Sequence, residues 1–501
     1  MNFAIYTLGC KLNQLEGEGI ADAFRKAGFA PAPQGAAADI IIINTCTVTS
    51  KADQKCRRLI RKALRENPGA CVMVTGCYAQ LDPAEIAALE DEAGAFRRLF
   101  VTGGGGGIYD AVGSPAAGAA KSALLELPAY VRETMTRSPD IPLPEIIKAW
   151  METASLKNSA PPRLCERTFG FKPEEYAFHS RGYLKIQDGC DNSCAYCRVR
   201  LARGPSVSLA QESALAALRS AEARGCAEMM ITGVNITQYR HTGCDLAALL
   251  AYLLDGTDTI ALRLSSLEPE AIVEQQRLAS VLAHPRIRPH FHLSVQSGSD
   301  AVLRAMGRAY ASQTVEQAAA LLRNIKDNPF LACDIIAGFP GETAADFDQT
   351  LALCAQTGFA WIHAFPYSKR PGTAAFALKN SVCERDVTRR VEALTQLALQ
   401  GRRSYAQSWL NRELSAVVEK GPPCSTGRCP PGQCRAVSEN YLKLIVNACE
   451  SPGCEPPPGS VIRCTPVSLC DNADGEQPDA VAVPAKDDHT HFAQNHYTNI
   501  K

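Results

Sequence analysis

Three cysteines lie close together near the middle of the chain, in the segment IQDGCDNSCAYCRVR. Cys190, Cys194 and Cys197 are separated by three and by two residues. Three thiolates could belong to a zinc site, to an iron–sulfur site or to a structural core. Structural zinc completes its shell with four protein ligands, whereas a cubane cluster held by three thiolates leaves one iron open to a ligand that is not protein. Because the nearest downstream cysteine, Cys226, falls in a predicted helix, the spacing favours the iron–sulfur site.

A second set of cysteines is spread over the N-terminal part of the chain. Cys10, Cys46 and Cys77 each follow a strand-like run, and helical spacing separates these runs, which read FAIYTLG, DIIIINT and CVMVTG. This βαβαβ order predicts a parallel sheet, in which the carboxyl ends of the strands meet at one edge. Any one of these thiols could be a small buried hydrophobe, but three in the same topological position indicate a second cluster site.

The elements that must position these thiols predict an α/β fold class. Residues 1–125 are expected to form the parallel-sheet domain, and 126–176 read as an irregular insertion with one helical piece at 146–154. Residues 177–405 alternate six strand candidates with helices, which predicts an open (β/α)6 partial TIM barrel. Because functional groups of such barrels follow the strands, the position of Cys190 directly after the first strand agrees with this fold.

The C-terminal part of the chain has a different character. Residues 406–472 contain at least three short strand-like runs, which predict a small β-barrel, and residues 473–501 look like a disordered tail. This barrel segment also carries seven cysteines, which could form a third metal site or remain unpaired thiols: Cys424, Cys429, Cys434, Cys449, Cys454, Cys464 and Cys470.

The composition narrows the class of protein. The 501 residues predict two to four domains, and the 52 basic and 52 acidic residues cancel, which excludes a global electrostatic attraction to nucleic acid or acidic membranes. The N-terminus lacks a signal-peptide pattern and no run reaches the roughly 18 apolar residues of a membrane span, so we expect a cytoplasmic protein without membrane contact. There the 21 cysteines would stay reduced, and their odd number argues against a complete disulfide set.

Several motifs resemble the methylthiotransferases of the radical S-adenosylmethionine (SAM) superfamily. They are TLGCKLNQ (7–14), NTCTVTSKAD (44–53), TGCYAQ (75–80), the central cysteine segment and DIIAGFPGET (334–343), and the resemblance covers roughly residues 1–100 and 178–450. It implies a sulfur-inserting transferase with two 4Fe-4S clusters, one held by Cys190, Cys194 and Cys197. The amino and carboxylate groups of SAM would chelate the open iron of that cluster, and one electron would cleave SAM to a 5′-deoxyadenosyl radical.

The same resemblance assigns further roles. Cys10, Cys46 and Cys77 would hold the second cluster, whose open iron carries the sulfur to be delivered. A reducing electron donor such as flavodoxin or ferredoxin is implied, and we expect a monomer. The residues that we expect to contact SAM follow the barrel strands or lie in the cysteine loop: Tyr196, Gly233, Asn235, Ser266 and Gln296.

The sequence motif around the first cysteine indicates the substrate. TLGCKLNQ and CTVTSKADQKCRRLIRKA resemble the branch that converts N6-threonylcarbamoyladenosine at position 37 of tRNA to its 2-methylthio derivative. Branches acting on isopentenyladenosine or on a ribosomal-protein aspartate typically read Tyr-Gly-Cys-Gln or Leu-Gly-Cys-Pro at this place. Those two substrates stay open as alternatives, as does a non-catalytic iron–sulfur protein that binds RNA or senses redox state. The expected macromolecular partner is the tRNA anticodon stem-loop.

Contacts to RNA can be suggested at two places. In KCRRLIRKALR, Arg57, Arg61 and Arg65 share one predicted helix face, which could meet phosphates or could simply be solvated. The C-terminal barrel resembles a TRAM domain, a small RNA-holding module, in which Tyr441 and Lys443 are either RNA contacts or packing residues.

The sequence departs from the family pattern after the last central cysteine. Arg198, Val199 and Arg200 stand where the family usually has an apolar pair and a proline, although Arg203 and Gly204 are preserved.

Overall fold

The computed structural model describes most of the chain. The described residues are 1–33, 35–90, 98–102, 108–109, 115–116, 121–156, 169–420, 432–447, 456–471 and 477–485. Four of the C-terminal cysteines, Cys424, Cys429, Cys449 and Cys454, lie outside them. In the described part of the chain, no helix is both long and apolar enough to cross a membrane.

The N-terminal domain is built on the predicted parallel sheet. In spatial order its strands are Ala30–Pro31, Asn2–Thr7, Ile40–Thr45, Cys71–Gly76, Leu99–Thr102, Ile108–Tyr109 and Pro115–Ala116, and only the last two run antiparallel to their neighbours. Helices α1 (Lys11–Lys26) and α2 (Ser50–Glu66) are the crossovers. Ile40–Thr45 and Cys71–Gly76 are buried along their whole length, as expected for parallel strands covered on both faces.

The segment predicted to be an irregular insertion belongs to the core of this domain. It contains two helices, Leu127–Arg137 and Leu143–Leu156, where the sequence predicted one. Val131, Ile147 and Trp150 are buried against the sheet together with Phe3 and Phe24. The expected helical piece at 146–154 lies within the second helix. The expectation of an irregular segment is wrong for the first helix, because its apolar face helps to cover the sheet.

The central domain confirms the predicted open barrel. Six parallel strands form two three-stranded sheets, and isolated bridges join Leu262 to Ile287 and Leu267 to Leu293 between them. In chain order the strands are Gly182–Lys185, Glu228–Thr232, Ala261–Leu264, His290–Gln296, Phe330–Ala337 and Trp361–Pro366. The main outer helices are Gln211–Ala223, Leu246–Asp255, Pro269–Glu274, Gln276–Leu282, Asp300–Met306, Ser312–Ile325, Ala344–Thr357 and Glu384–Ser408. Alternate strand residues such as Leu262, Leu293 and Cys333 pack beneath these helices, so their neighbours in sequence face the barrel interior.

The C-terminal domain is a closed five-stranded barrel. Its strands are, in spatial order, Leu414–Val418, Gln433–Ser438, Lys443–Asn447, Ala480–Pro484 and Val461–Leu469. The strand Ala480–Pro484 lies in the segment predicted to be a disordered tail, so that prediction is wrong for these residues. Alternating Ala480, Ala482 and Pro484 are buried, and pairing on both sides satisfies the backbone of this short strand. Cys434 and Cys464 are buried within the barrel core.

A buried ionic centre joins the two barrels at the amino end of the open-barrel strands. Glu228 accepts from Nε of Arg263 at 2.7 Å and from Nε of Arg288 at 3.0 Å. Arg263 also donates to the carbonyl oxygen of Ser438 at 3.1 Å, and Arg288 pairs with Glu439 at 3.3 Å. Tyr441 stacks on His290 with ring centroids 4.0 Å apart, so it is a packing residue of this joint.

Candidate functional site

The central cysteines lie in a loop at the carboxyl end of the first open-barrel strand. Backbone bonds shape this loop: the amide of Cys190 donates to the carbonyl of Gly204, that of Cys197 to Cys194, and that of Ala195 to Met306. Tyr196 packs on an apolar cluster that contains Met306. The loop thus holds three partly exposed thiols in one short turn at the mouth of the barrel.

Donors point at two of these thiols. Nη1 of Arg308 lies 3.3 Å from Sγ of Cys194, and the amide of Val199 lies 3.4 Å from Sγ of Cys197. Such donors stabilise a metal-bound thiolate and tune the metal. Arg308 also pairs with Glu268, which accepts from Asn235 at 3.1 Å. Burial raises the pKa of Glu268 to about 7, against the opposing effect of Arg308.

The N-terminal cysteines converge at the carboxyl edge of their sheet, as predicted. Close packing there requires glycine before two of them: Gly9 has φ +111° and Gly76 has φ +102°. A Cβ on Gly9 would lie 2.6 Å from Cβ of Cys46, and one on Gly76 would lie 2.2 Å from the carbonyl oxygen of Thr45. The strand-to-helix turns therefore bring the thiol-bearing segments into direct contact.

Arg203 connects this edge to the open barrel. It comes from the short helix Val199–Arg203, and its Nε lies 3.3 Å from Sγ of Cys77. Its Nη1 pairs with Glu16 at 3.2 Å and with Asp188 at 3.1 Å, while Nη2 donates to Oδ1 of Asn13 at 2.9 Å. One buried guanidinium therefore contacts groups of both domains, and the carbonyl of the next residue, Gly204, accepts from the amide of Cys190.

The chemistry of both triplets fits clusters. Burial raises the pKa of Cys46 to about 12 and that of Cys197 to about 11, and the neighbouring thiols contribute to both increases. Arg203 opposes this effect at Cys10 and Arg308 opposes it at Cys197, so each guanidinium favours the thiolate that iron requires. No three Cys, His, Asp or Glu side chains in the described part of the chain could hold a single metal ion. A cubane offers each thiolate its own iron, so the triplets fit a cluster better than a lone ion.

The five residues predicted to contact SAM lie at or near the carboxyl ends of the strands. Asn235 donates to Glu268 and Gln296 has φ +66° at the end of its strand. A Cβ on Gly233 would lie 2.8 Å from Oε1 of Gln187, so this turn packs tightly on the first strand. Ser266 instead bonds Nδ1 of His292 at 2.7 Å, inside the barrel. With Tyr196 packed on the apolar cluster, their contacts to SAM stay a prediction.

Two further contacts fasten the N-terminal domain to the barrel beside the cysteines. Arg198, one of the residues that depart from the family pattern, makes a two-pronged contact with Asp82 at 3.0 and 3.3 Å. Arg370 pairs with Asp53 at 2.6 Å and donates to Oγ1 of Thr47 at 2.5 Å. The unusual Arg198 thus has a structural explanation as an interdomain contact.

The sequence did not assign Arg203, Arg308 or Glu268 to the site. Arg203 and Glu268 lie in the segments RG (203–204) and RLSSLEP (263–269), so a signal existed for them. Arg308 follows the helix Asp300–Met306 and lies in no motif, and only the folded chain brings it to Cys194.

Comparisons with known proteins agree with this architecture. Residues 2–96 match the model of the uncharacterized protein family UPF0004, and residues 184–354 match the radical SAM superfamily. The chain is 42% identical over 465 residues to the threonylcarbamoyladenosine tRNA methylthiotransferase MtaB of Treponema pallidum, covering 88% of this chain and 94% of that protein. It is 33% identical over 419 residues to the MtaB of Thermotoga maritima, covering 83% and 86%.

A relative that is named for a different substrate is also similar. The tRNA-2-methylthio-N(6)-dimethylallyladenosine synthase of Cereibacter sphaeroides is 30% identical over 468 residues, covering 92% of this chain and 94% of that protein. Relatives of both names span nearly the whole chain, and the family's cofactors are SAM and 4Fe-4S clusters. The chain belongs to the tRNA methylthiotransferase family of radical SAM enzymes.

Proposed function

We propose that this enzyme converts N6-threonylcarbamoyladenosine at position 37 of tRNA to 2-methylthio-N6-threonylcarbamoyladenosine. The observation that carries the proposal is the contact of Arg203, which follows the central cysteine loop, with Cys77 of the N-terminal triplet, because sulfur insertion needs a radical source and a sulfur-holding site side by side. The threonylcarbamoyl substrate is supported by the 42% identity to a relative of that name, against 30% to the dimethylallyladenosine synthase.

The proposal gives each group of residues a role. Cys190, Cys194 and Cys197 hold one cluster with SAM, and Cys10, Cys46 and Cys77 hold the other. When bound, these cofactors supply one-electron cleavage of SAM and a sulfur donor. The protein orients them: Arg308 donates to Cys194, Arg203 donates to Cys77, and Glu268 holds the loop that carries Asn235. Tyr196, Gly233, Ser266 and Gln296 are the remaining candidate SAM contacts.

Helix α2 offers a surface for RNA. The exposed residues Lys51, Lys55, Arg58, Lys62 and Arg65 recur at spacings of three and four, which forms one basic stripe along the helix. The stripe begins near Cys46, where the amide of Ser50 donates to Oγ of Ser368 at 2.9 Å. It would therefore lead phosphates toward the site. Arg57, predicted to share an RNA-facing side, instead pairs with Glu85 at 2.6 Å.

The finer partners also belong to the proposal. The anticodon stem-loop is the part of tRNA that contains position 37, and the enzyme would act on it as a cytoplasmic monomer. Flavodoxin or ferredoxin would supply the electron.

The decisive test is mass spectrometry of tRNA nucleosides. A strain that lacks its own enzyme for this modification would receive the wild-type gene, the Cys190→Ala variant or the Arg277→Met variant, whose exposed side chain lies on the outer helix Gln276–Leu282. Wild type and Arg277→Met should produce 2-methylthio-N6-threonylcarbamoyladenosine, and Cys190→Ala should not. Appearance of only the methylthiolated isopentenyladenosine, or of a methylthiolated ribosomal-protein aspartate, would replace the substrate. Product formation by Cys190→Ala would contradict the role of the central triplet.

A further inference from the structure

Lys11 is a charged residue without a partner at the edge of the site. It is the first residue of α1, directly after Cys10, and its side chain is only partly exposed. No hydrogen bond or ion pair involves its ammonium within the described residues. Because removing an ammonium from water is costly, a lysine in this situation calls for an anion.

The side chain points toward the open barrel. On the same face of α1, Gln14 accepts from the hydroxyl of Tyr183 at 3.2 Å and Glu18 contacts Nδ1 of His179 at 2.6 Å. Lys11 precedes Gln14 by three residues and Glu18 by seven, so the three side chains lie along one stripe. The N-terminal end of that stripe is the end nearest the cysteines.

The charged groups around Lys11 are already paired with one another. The charges that act on it belong to Tyr441, Arg263, Arg181 and Asp334. Asp334 pairs with Nε2 of His292 at 3.3 Å, Arg263 pairs with Glu228 at 2.7 Å, and Arg181 pairs with Glu419 at 2.8 Å. Nη1 of Arg181 and Nη1 of Arg263 are nevertheless buried without a hydrogen bond. An anion entering from the site would therefore find an unpaired ammonium together with two guanidinium groups that each have an unused donor.

We propose that Lys11 binds the carboxylate of the threonylcarbamoyl group of the substrate. The inference rests on the proposed function, which supplies a substrate with a carboxylate on its N6 side chain. C2, which receives the methylthio group, and C6, which carries that side chain, flank N1 of the same ring. A substrate whose C2 faced the N-terminal cysteines would bring this side chain toward Lys11, the residue after Cys10.

The test compares two RNAs. Anticodon stem-loops carrying N6-threonylcarbamoyladenosine, or the same nucleoside with its carboxylate converted to the carboxamide, are bound to the cluster-loaded full chain and followed by fluorescence anisotropy. Wild type should bind the carboxylate RNA about 10- to 100-fold more tightly than the carboxamide, the range expected for a charge-assisted hydrogen bond. Lys11→Gln should remove that preference and Lys11→Arg should keep most of it. Lys26→Gln, at the exposed end of the same helix, should leave it unchanged.

The ratio of the two affinities separates recognition from damage to the neighbouring Cys10 turn, because such damage weakens both RNAs equally. Equal binding of both RNAs by wild type overturns the proposal, as does a full preference in Lys11→Gln. A loss in Lys11→Gln that is as large for a stem-loop with unmodified adenosine would assign Lys11 to a phosphate instead. Failure of wild type to methylthiolate the carboxylate RNA refutes the proposed function itself. If wild type methylthiolates this RNA but binds it no more tightly than the carboxamide RNA, only the role of Lys11 is refuted.

Discussion

Removing the guanidinium of Arg203 should empty the N-terminal cluster site and spare the central one. In Arg203→Met, Glu16 and Asp188, which are 2% and 8% exposed, lose their partner, a buried positive charge. Removing one partner of a buried ion pair lowers the free energy of unfolding by about 3–5 kcal/mol. Asp188 still has a second partner, because Lys185 lies 2.9 Å away. Loss of a second-sphere partner of a metal ligand typically lowers metal affinity about 10- to 100-fold, and Cys77 loses such a donor here.

The assay is anaerobic reconstitution with limiting iron. Wild type should bind about eight irons per chain if both clusters are cubanes, and Arg203→Met about four. The central site is followed separately by the cleavage of SAM to 5′-deoxyadenosine without RNA, which the variant should retain. Arg203→Lys should be intermediate, because lysine keeps the charge but not the planar fork. Arg277→Met changes an exposed arginine on the outer helix Gln276–Leu282 and should match wild type. An Arg203→Met variant with the full iron complement and wild-type iron affinity would refute the assigned role.

Two further predictions follow from the charges of the fold. Glu228 is 1% exposed, and its three arginines outweigh burial and lower its pKa to about 2 from an ordinary 4.5, which corresponds to about 3 kcal/mol of stability. This stability is present above pH 4.5 and is lost as the pH falls toward 2. At pH 7, Glu228→Gln should therefore unfold at a lower denaturant concentration than wild type. The difference between the two unfolding midpoints should narrow in acid. Fluorescence of Trp361 and Trp409, which pack between the barrels, reports the unfolding transition, and Glu316→Gln at an exposed position is the control. A difference between the midpoints that persists in acid would contradict the ionic explanation. Reversing the charges of Lys55, Arg58 and Lys62 should weaken stem-loop binding and reduce the salt slope of log Kd by about 0.7–0.9 for each phosphate that is no longer neutralised. As a matched control, the charges of three exposed arginines on outer barrel helices are reversed (Arg277, Arg385 and Arg389), which should leave the affinity and the salt slope unchanged. Equal effects of the two triple variants would argue against a docking stripe.

The parts of the structure that the sequence could predict are those with a periodic signal. Alternating apolar runs predicted the N-terminal sheet and the six barrel strands, and the position of the cysteines after these runs predicted where the thiols meet. The helices at 127–137 and 143–156 were partly missed because the surrounding Pro- and Ser-rich segments look irregular. The strand Ala480–Pro484 has only five residues, and its place depends on pairing with Lys443–Asn447, which lies far away in sequence.

The polar residues of the site were harder to predict for a different reason. Arg308 reaches Cys194 across 114 residues and Arg203 reaches Cys77 across 126, and neither interaction leaves a repeating pattern in the chain. Tyr441 was left open between an RNA contact and a packing residue, because the sequence does not show its neighbours, and the folded chain stacks it on His290.

The net charge of the chain does not decide where an acidic polymer can bind. The open barrel contributes arginines and its neighbours contribute carboxylates: Arg198 meets Asp82, Arg370 meets Asp53, and Arg402 meets Asp479. Each of these pairs removes one basic and one acidic residue, so the sum of 52 basic and 52 acidic residues stays balanced and only a local arrangement of charge can attract phosphates. The stripe on α2 and the unpaired Lys11 are two such local arrangements. Because Cys77 and its donor Arg203 belong to different domains, the N-terminal site is complete only when the domains are docked, and the contacts that dock them therefore also assemble the chemistry.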